Sequence, residues 1–202
     1  PVAHLADLGV LSPGLLACHC VALSDADIEL IRRHEVKVSH NPESNMKLAS
    51  GISPVSELMR KGICVGLGTD GCASNNNLDM FLEMDTAAKL HKVATLNPTV
   101  MSAPDALRMA TIDGARCLGL DKKIGSLEPG KLADLIIIDT AKPHLTPMYD
   151  PISHLVYAVN GADVQTVLIN GRIVMENRRL LTLDVDALLK TMREIARSIA
   201  GT

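Results

Sequence analysis

Apolar runs alternate with helical patterns along the first half of the chain. After a short helical pattern near the N-terminus, residues 15–23, LLACHCVAL, form an apolar run interrupted by one His and ended by Ser24, which predicts a buried strand. Ser24-Asp25-Ala26-Asp27 then supplies an N-cap with acidic residues in the first turn, and Ile28, Leu30 and Ile31 give an apolar helical face to about His34. The same order recurs. VKVSHN at 36–41 predicts a second strand, a polar loop follows, and Ser53-Pro54 opens a helix that stops at Gly62. ICVGLGTD at 63–70 predicts a third strand, followed by a helix from about Leu78 to Lys92. Strand-helix units repeated in this way predict a parallel sheet with helices packed outside it.

The pattern then changes. Ser102-Ala103-Pro104 caps a helix expected to run to about Leu118, and from Ile124 the chain becomes strand-like and turn-rich. LEPGKLADLIIID and VQTVLINGRIVMENRRLLTL read as a small β module, with Asn170-Gly171 as a hairpin turn. Residues 185–200 carry apolar positions at helical spacing, with Lys190, Arg193 and Arg197 on the other face, so an amphipathic helix is expected there. The expected division is therefore 1–122 for the strand-helix region, 123–183 for the β module and 184–202 for the last helix.

Composition narrows the class. Hydrophobic residues make up 47% and charged residues 21%, which is globular and excludes a disordered chain. Aromatic residues make up only 1%, so the core must be built from Leu, Ile, Val, Ala and Met. The formal net charge is -3 and the basic residues are scattered, which argues against nucleic acid or an anionic membrane as partner and favours a small-molecule substrate. No apolar stretch approaches the roughly 20 residues of a membrane span. Cys18, Cys20, Cys64, Cys72 and Cys117 are odd in number and show no C-x-x-C spacing, so reduced thiols and a cytoplasmic setting are expected.

In a parallel sheet wrapped by helices, functional side chains gather at the C-terminal ends of the strands. The predicted strands end near His19, His40 and Asp70, each a polar residue at the end of or inside an apolar run. Asp70, between Gly68-Thr69 and Gly71, suits a divalent metal and proton exchange with water; capping of the following turn is the competing reading. His19 lies between Cys18 and Cys20, which invites a Cys-His-Cys metal site. Strand alternation argues against it, sending His19 to the open mouth and both cysteines toward the covering helices, with a satisfied core histidine as the alternative. His40 opens Asn41-Pro42-Glu43-Ser44-Asn45, expected to form a hydrogen-bonded lip. His40 and Asn75, the latter within Ser74-Asn75-Asn76-Asn77, are weaker candidates for substrate contact. His4, His34, His91, His144 and His154 show no ligand spacing and are expected at the surface or in packing.

Several stretches taken together, LLACHCVALSDADI, VSHNPESNMKLASG, VGLGTDGCASNNNLDMFLEM, ATIDGARCLGL and IGSLEPGKLADLIIID, resemble the amidohydrolase superfamily. The resemblance is closest to its methylthioadenosine/S-adenosylhomocysteine deaminase and chlorohydrolase-like branch. It implies an α/β fold: the last three strand-helix units of a (β/α)8 TIM-type barrel, part of a small β-sandwich, and a C-terminal helix. By the same resemblance Asp70 matches the metal-binding aspartate after strand eight, which also accepts a proton from the attacking water. His19 matches the histidine after strand six, which polarises that water. The implied reaction is hydrolytic deamination of an aminopurine nucleoside by hydroxide bound to one divalent metal, zinc or iron. A guanine or triazine substrate, the latter aminated or chlorinated, is the alternative within the superfamily.

The family's His-x-His metal pair, a further metal histidine and the glutamate that protonates the purine would all lie upstream of Pro1. The chain is accordingly expected to be a C-terminal portion, inactive by itself because a catalytic site draws on about three protein ligands. A segment of a closed barrel exposes sheet edges and helix faces, so self-association as a homo-oligomer, or cover from the missing barrel half, is expected. A non-catalytic assembly module is the reading from a different class.

Overall fold

The computed structural model describes residues 1–201. Contacts divide it into two units, one formed by Pro1–Lys131 with Ala141–Gly161, the other by Leu132–Thr140 with the residues from Ala162 onward.

The first unit holds a parallel sheet of β1 (Leu16–Cys18), β2 (Lys37–His40) and β3 (Val65–Leu67), in that spatial order. Register pairs Ala17 with Val38 and Val38 with Val65, so a row of small apolar side chains crosses the sheet. The helices are α1 (Val2–Asp7), α2 (Asp25–Arg33), α3 (Pro42–Lys47), α4 (Val55–Arg60), α5 (Cys72–Asn75), α6 (Met80–Thr95), α7 (Ala103–Ala110), α8 (Ile112–Cys117) and α9 (Pro151–Tyr157). The strand-then-helix order read from the sequence is present. So is the aliphatic core: Ile28, Ile31, Val38, Val55, Leu58, Met84, Ala87, Ala106, Met109 and Val156 are all at most 3% exposed.

Local chemistry explains most helix starts. Ser24 Oγ accepts from the Asp27 N–H while the Asp27 carboxylate accepts from the Ser24 N–H, and Ser102 with Asp105 repeats this capping box at α7. Asp79 caps α6 through Oδ1, and its Oδ2 accepts the Gly161 N–H at 2.9 Å, tying the end of the α9 segment to the start of α6. A Cβ at Gly161 would stand 2.9 Å from that carboxylate oxygen, so the residue must be small.

The structure departs from the expectations at four places. The polar loop after β2 contains α3, because Pro42 at the first helical position carries a preset φ and the Asn45 N–H closes on the Asn41 carbonyl. The helix expected from 102 to 118 breaks at Thr111 (φ -126, ψ -101) into α7 and α8. The break lets Gly114 pack on β3, where a Cβ on Gly66 would lie 3.0 Å from the Gly114 Cα. α9 lies inside the segment read as a β module; it packs on α6 and α7, which is why 141–161 joins the first unit. The division therefore interleaves, where three consecutive segments were expected. Finally, β1 stops at Cys18: His19 (φ 67) and Cys20 (φ 48) are left-handed, so strand alternation cannot be carried through them. Cys18, expected against helices, is exposed.

The second unit is a four-stranded antiparallel sheet, β4 (Leu135–Ile138), β5 (Val164–Ile169), β6 (Arg172–Glu176) and β7 (Arg179–Leu180), in chain order. Asn170 (φ 50) and Gly171 (φ 74) are both left-handed, as the tight turn between β5 and β6 requires. A sandwich needs a second sheet facing the first; the described residues supply one layer. α10 (Val185–Ala200) is the expected amphipathic helix, capped by Asp184, and buries none of its residues. No helix among the described residues is long and apolar enough to cross a membrane.

Candidate active site

Three strand ends and the short helices that follow them bring the polar residues together. Asp70 lies beyond β3 with φ 61, a conformation uncommon outside glycine. Its Oδ2 accepts hydrogen bonds from Ser44 Oγ at 2.7 Å and Ser74 Oγ at 2.6 Å. The Ser74 and Ser44 hydroxyls, with the Gly71 N–H, hold the Asp70 carboxyl down at about 2, so it is ionised at neutral pH. His19 Nε2 stands 3.8 Å from the same oxygen, and His19 Nδ1 is hydrogen-bonded to Asn45 Oδ1 at 2.9 Å. An asparagine oxygen only accepts, so Nδ1 carries a proton in this contact and Nε2 is the ring nitrogen turned toward Asp70. Both side chains are open, 40% exposed for His19 and 32% for Asp70.

Around these residues lies a buried layer, in which Asn75 meets Glu83. Asn75 Nδ2 donates to the Thr69 carbonyl at 2.8 Å and to Glu83 Oε1 at 2.6 Å, bridging the residue before Asp70 to α6. Glu83 is fully buried and its other oxygen accepts the Glu43 N–H at 3.4 Å. Burial pushes its carboxyl up to about 7. Glu43 in turn accepts from Asn77 Nδ2 at 2.9 Å and Thr86 Oγ1 at 3.1 Å. α3, α5 and α6 are thus joined through side-chain amides and carboxylates beneath the Asp70 loop.

The two weaker candidates have other surroundings. His40 is fully buried on the face of β2 that carries Val38, with its Nε2 3.0 Å from His91 Nε2 of α6. Burial pushes His40 down to about 3 and His91 to about 4, so both rings are neutral and one proton serves the contact. A ring enclosed in this way offers no surface to a substrate. Asn75, 6% exposed and engaged on both sides, holds the loop instead of facing outward.

Ser44, Asn45 and Glu83 carried a weak signal. Ser44 and Asn45 fall in a stretch read as loop, and the intervening α3 is what buries them. Glu83 sits four residues before Ala87 and eight before His91, both buried on α6, so a helical projection puts a carboxylate on the packed face.

The donor set fits a divalent metal in kind: an ionised carboxylate and an imidazole nitrogen side by side. It falls short in number, since no group of three or more His, Cys, Asp or Glu among the described residues could hold an ion.

Polar side chains meeting at the C-terminal ends of parallel strands, beneath loops that carry short helices, define an α/β enzyme-type site. The amidohydrolase family matches residues 1–174, and the chain belongs to that family. It is 61% identical over 199 residues to 5-methylthioadenosine/S-adenosylhomocysteine deaminase of Syntrophobacter fumaroxidans, covering 98% of this chain and 45% of that protein. It is 53% identical over 197 residues to 5'-deoxyadenosine deaminase of Methanosarcina acetivorans, with coverage of 98% and 45%. Among solved structures, a zinc-bound adenosine deaminase from Xanthomonas campestris superimposes with a TM-score of 0.97 at 41% identity, over 100% of this chain and 46% of that one. Zinc-bound atrazine chlorohydrolase from Arthrobacter aurescens gives 0.87 at 28% identity, over 96% and 43%. The chain spans less than half the length of these relatives.

Proposed function

We propose that this chain is the C-terminal part of a metal-dependent amidohydrolase whose reaction is hydrolytic deamination of an adenosine-type nucleoside. Its three parallel strands are the last three of a (β/α)8 barrel, and the antiparallel sheet is one layer of the accompanying β-sandwich. The observation that carries the reading is the meeting of His19 and Asp70 at the ends of two strands, an imidazole nitrogen 3.8 Å from an ionised carboxylate. The 61% identity to a methylthioadenosine/S-adenosylhomocysteine deaminase, against 28% to a triazine chlorohydrolase, supports the nucleoside over the triazine.

Asp70 would hold the metal, zinc or iron, together with ligands from the rest of the protein. Bound metal supplies acidity to water and polarises the substrate. Within this chain, Asp70 is kept ionised by Ser44, Ser74 and Gly71, so at neutral pH it is able to accept a proton. His19 presents Nε2 toward that carboxylate because Asn45 fixes its other nitrogen. There it positions and polarises the attacking water. Asn75 and Glu83 keep the loop that bears Asp70 in place. The full-length protein is expected to work in the cytoplasm, with the open edges of this segment covered by the remainder of the barrel or by a second copy.

The test is ammonia release by the full-length protein from 5'-methylthioadenosine, S-adenosylhomocysteine and 5'-deoxyadenosine, and chloride release from atrazine, with metal content measured on the same preparation. Turnover of a nucleoside with stoichiometric metal is expected. Turnover of atrazine alone would move the reading to the chlorohydrolases, and absence of both metal and turnover would leave the assembly module.

A further inference from the structure

Cys64 and Cys117 lie 53 residues apart in sequence, and their sulfurs are 3.6 Å apart. Cys64 immediately precedes β3, and Cys117 is the last residue of α8. Close packing brings them together. Gly66 and Gly114 let α8 approach the sheet, and a Cβ on Gly66 would lie 3.3 Å from the Cys117 sulfur. Cys117 Sγ sits over the Val38 and Cys64 carbonyls at 3.6 and 3.8 Å, and Cys64 Sγ lies 3.6 Å from the Asp113 carbonyl. Both residues are part-buried, and all five cysteines are free. No other two thiols among the described residues are hydrogen-bonded to each other.

We propose that Cys64 and Cys117 form a dithiol modification site that exchanges with a small-molecule disulfide and closes to a disulfide between β3 and α8. The site lies at the N-terminal end of β3, away from the Asp70 end, and no part of the deaminase reading uses it.

The arrangement favours the chemistry in two ways. A disulfide needs its sulfurs at about 2 Å, and the 3.6 Å contact leaves them a short approach from it. The thiolate is the attacking species, and the Cys117 S–H donating to Cys64 lowers the Cys64 thiol while raising that of Cys117, so Cys64 is the first to ionise. The Cys64 thiolate attacks one sulfur of the co-reactant, forming a mixed disulfide and releasing one thiolate. Cys117 then loses its proton and attacks the Cys64 sulfur, forming the intramolecular bond and releasing the second. Two protein thiols are oxidised by two electrons, and one disulfide is reduced to two thiols. The resulting link would join the strand that leads to Asp70 to the helix behind it.

Peptide mapping of the full-length protein, equilibrated in glutathione buffers from fully reduced to fully oxidised and then alkylated, tests this without reference to activity. The Cys64 and Cys117 peptides are expected as one linked species at the oxidised end, lighter by two hydrogens and restored by reductant. Cys117→Ser is expected to lose the link and to retain a glutathionyl group on Cys64. Separate alkylation of Cys64 and Cys117 in the wild-type protein at the oxidised end, or linkage of either to Cys18, Cys20 or Cys72, would overturn the proposal. The wild-type map decides the matter even if the variant fails to fold.

Discussion

His19 Nε2 stands 3.8 Å from Asp70 Oδ2, although β1 and β3 are separated in the sheet by β2. Each residue lies just past its strand in a left-handed conformation, so each side chain leaves the alternation of its strand and turns across the end of β2. The residues that fix them, Ser44 and Asn45, come from the short helix that follows β2. The middle strand thus contributes its loop, and its own terminal His40 is turned away into the packing against α6.

Asp70→Asn keeps the size of the side chain and removes its charge. In the full-length protein it is expected to lower kcat by about 10²–10⁴-fold or more while circular dichroism stays unchanged. Near-normal ammonia release would remove Asp70 from the mechanism.

His19→Ala deletes a ring that touches Asp70 through a longer contact. Turnover is expected to fall by about 10²-fold, with most of the bound metal retained by elemental analysis. Complete loss of metal would instead make His19 a primary ligand.

Asn75→Ala leaves the Thr69 carbonyl and the Glu83 carboxyl without their shared donor. Stability is expected to fall by about 1–3 kcal/mol, read from urea denaturation, because both acceptors are buried or part-buried. A change too small to measure would show that the loop is held by other contacts.

Glu83 and the histidine pair give opposite dependences on pH. The folded-state value for Glu83 is raised from 4.5 to about 7, so its contribution to stability is fully present below about 4.5 and is lost as pH rises to about 7. Glu83→Gln is expected to abolish that decline, seen as a flatter urea midpoint across the window. An unchanged slope would mean that Glu83 titrates normally.

His40 and His91 are held at about 3 and about 4, below the ordinary 6.5. The unfolded chain takes up protons on these rings first, so stability falls as pH drops from about 6.5 toward 4. His91→Gln keeps a hydrogen-bonding partner for His40 and removes one titrating ring. The loss on acidification is then expected to become shallower, and an identical slope would argue against a neutral buried pair.

The sequence by itself determined a good deal of this. Apolar runs of strand length, Ser24 and Ser102 with acidic residues behind them, and Asn170-Gly171 are local signals, and the elements they announce are present because capping and turn geometry depend on a few consecutive residues. His19, His40 and Asp70 as strand-end residues were legible for the same reason. What each one touches was decided only by tertiary structure. The left-handed turn at His19, the burial of His40 against His91, the break of the helix at Thr111 and the hidden carboxylate of Glu83 depend on residues 26 to 51 positions away or on packing between helices. Asp70 became one end of a hydrogen-bonded network in that way, since no stretch of local sequence contains both a carboxylate and the partners that fold it into place.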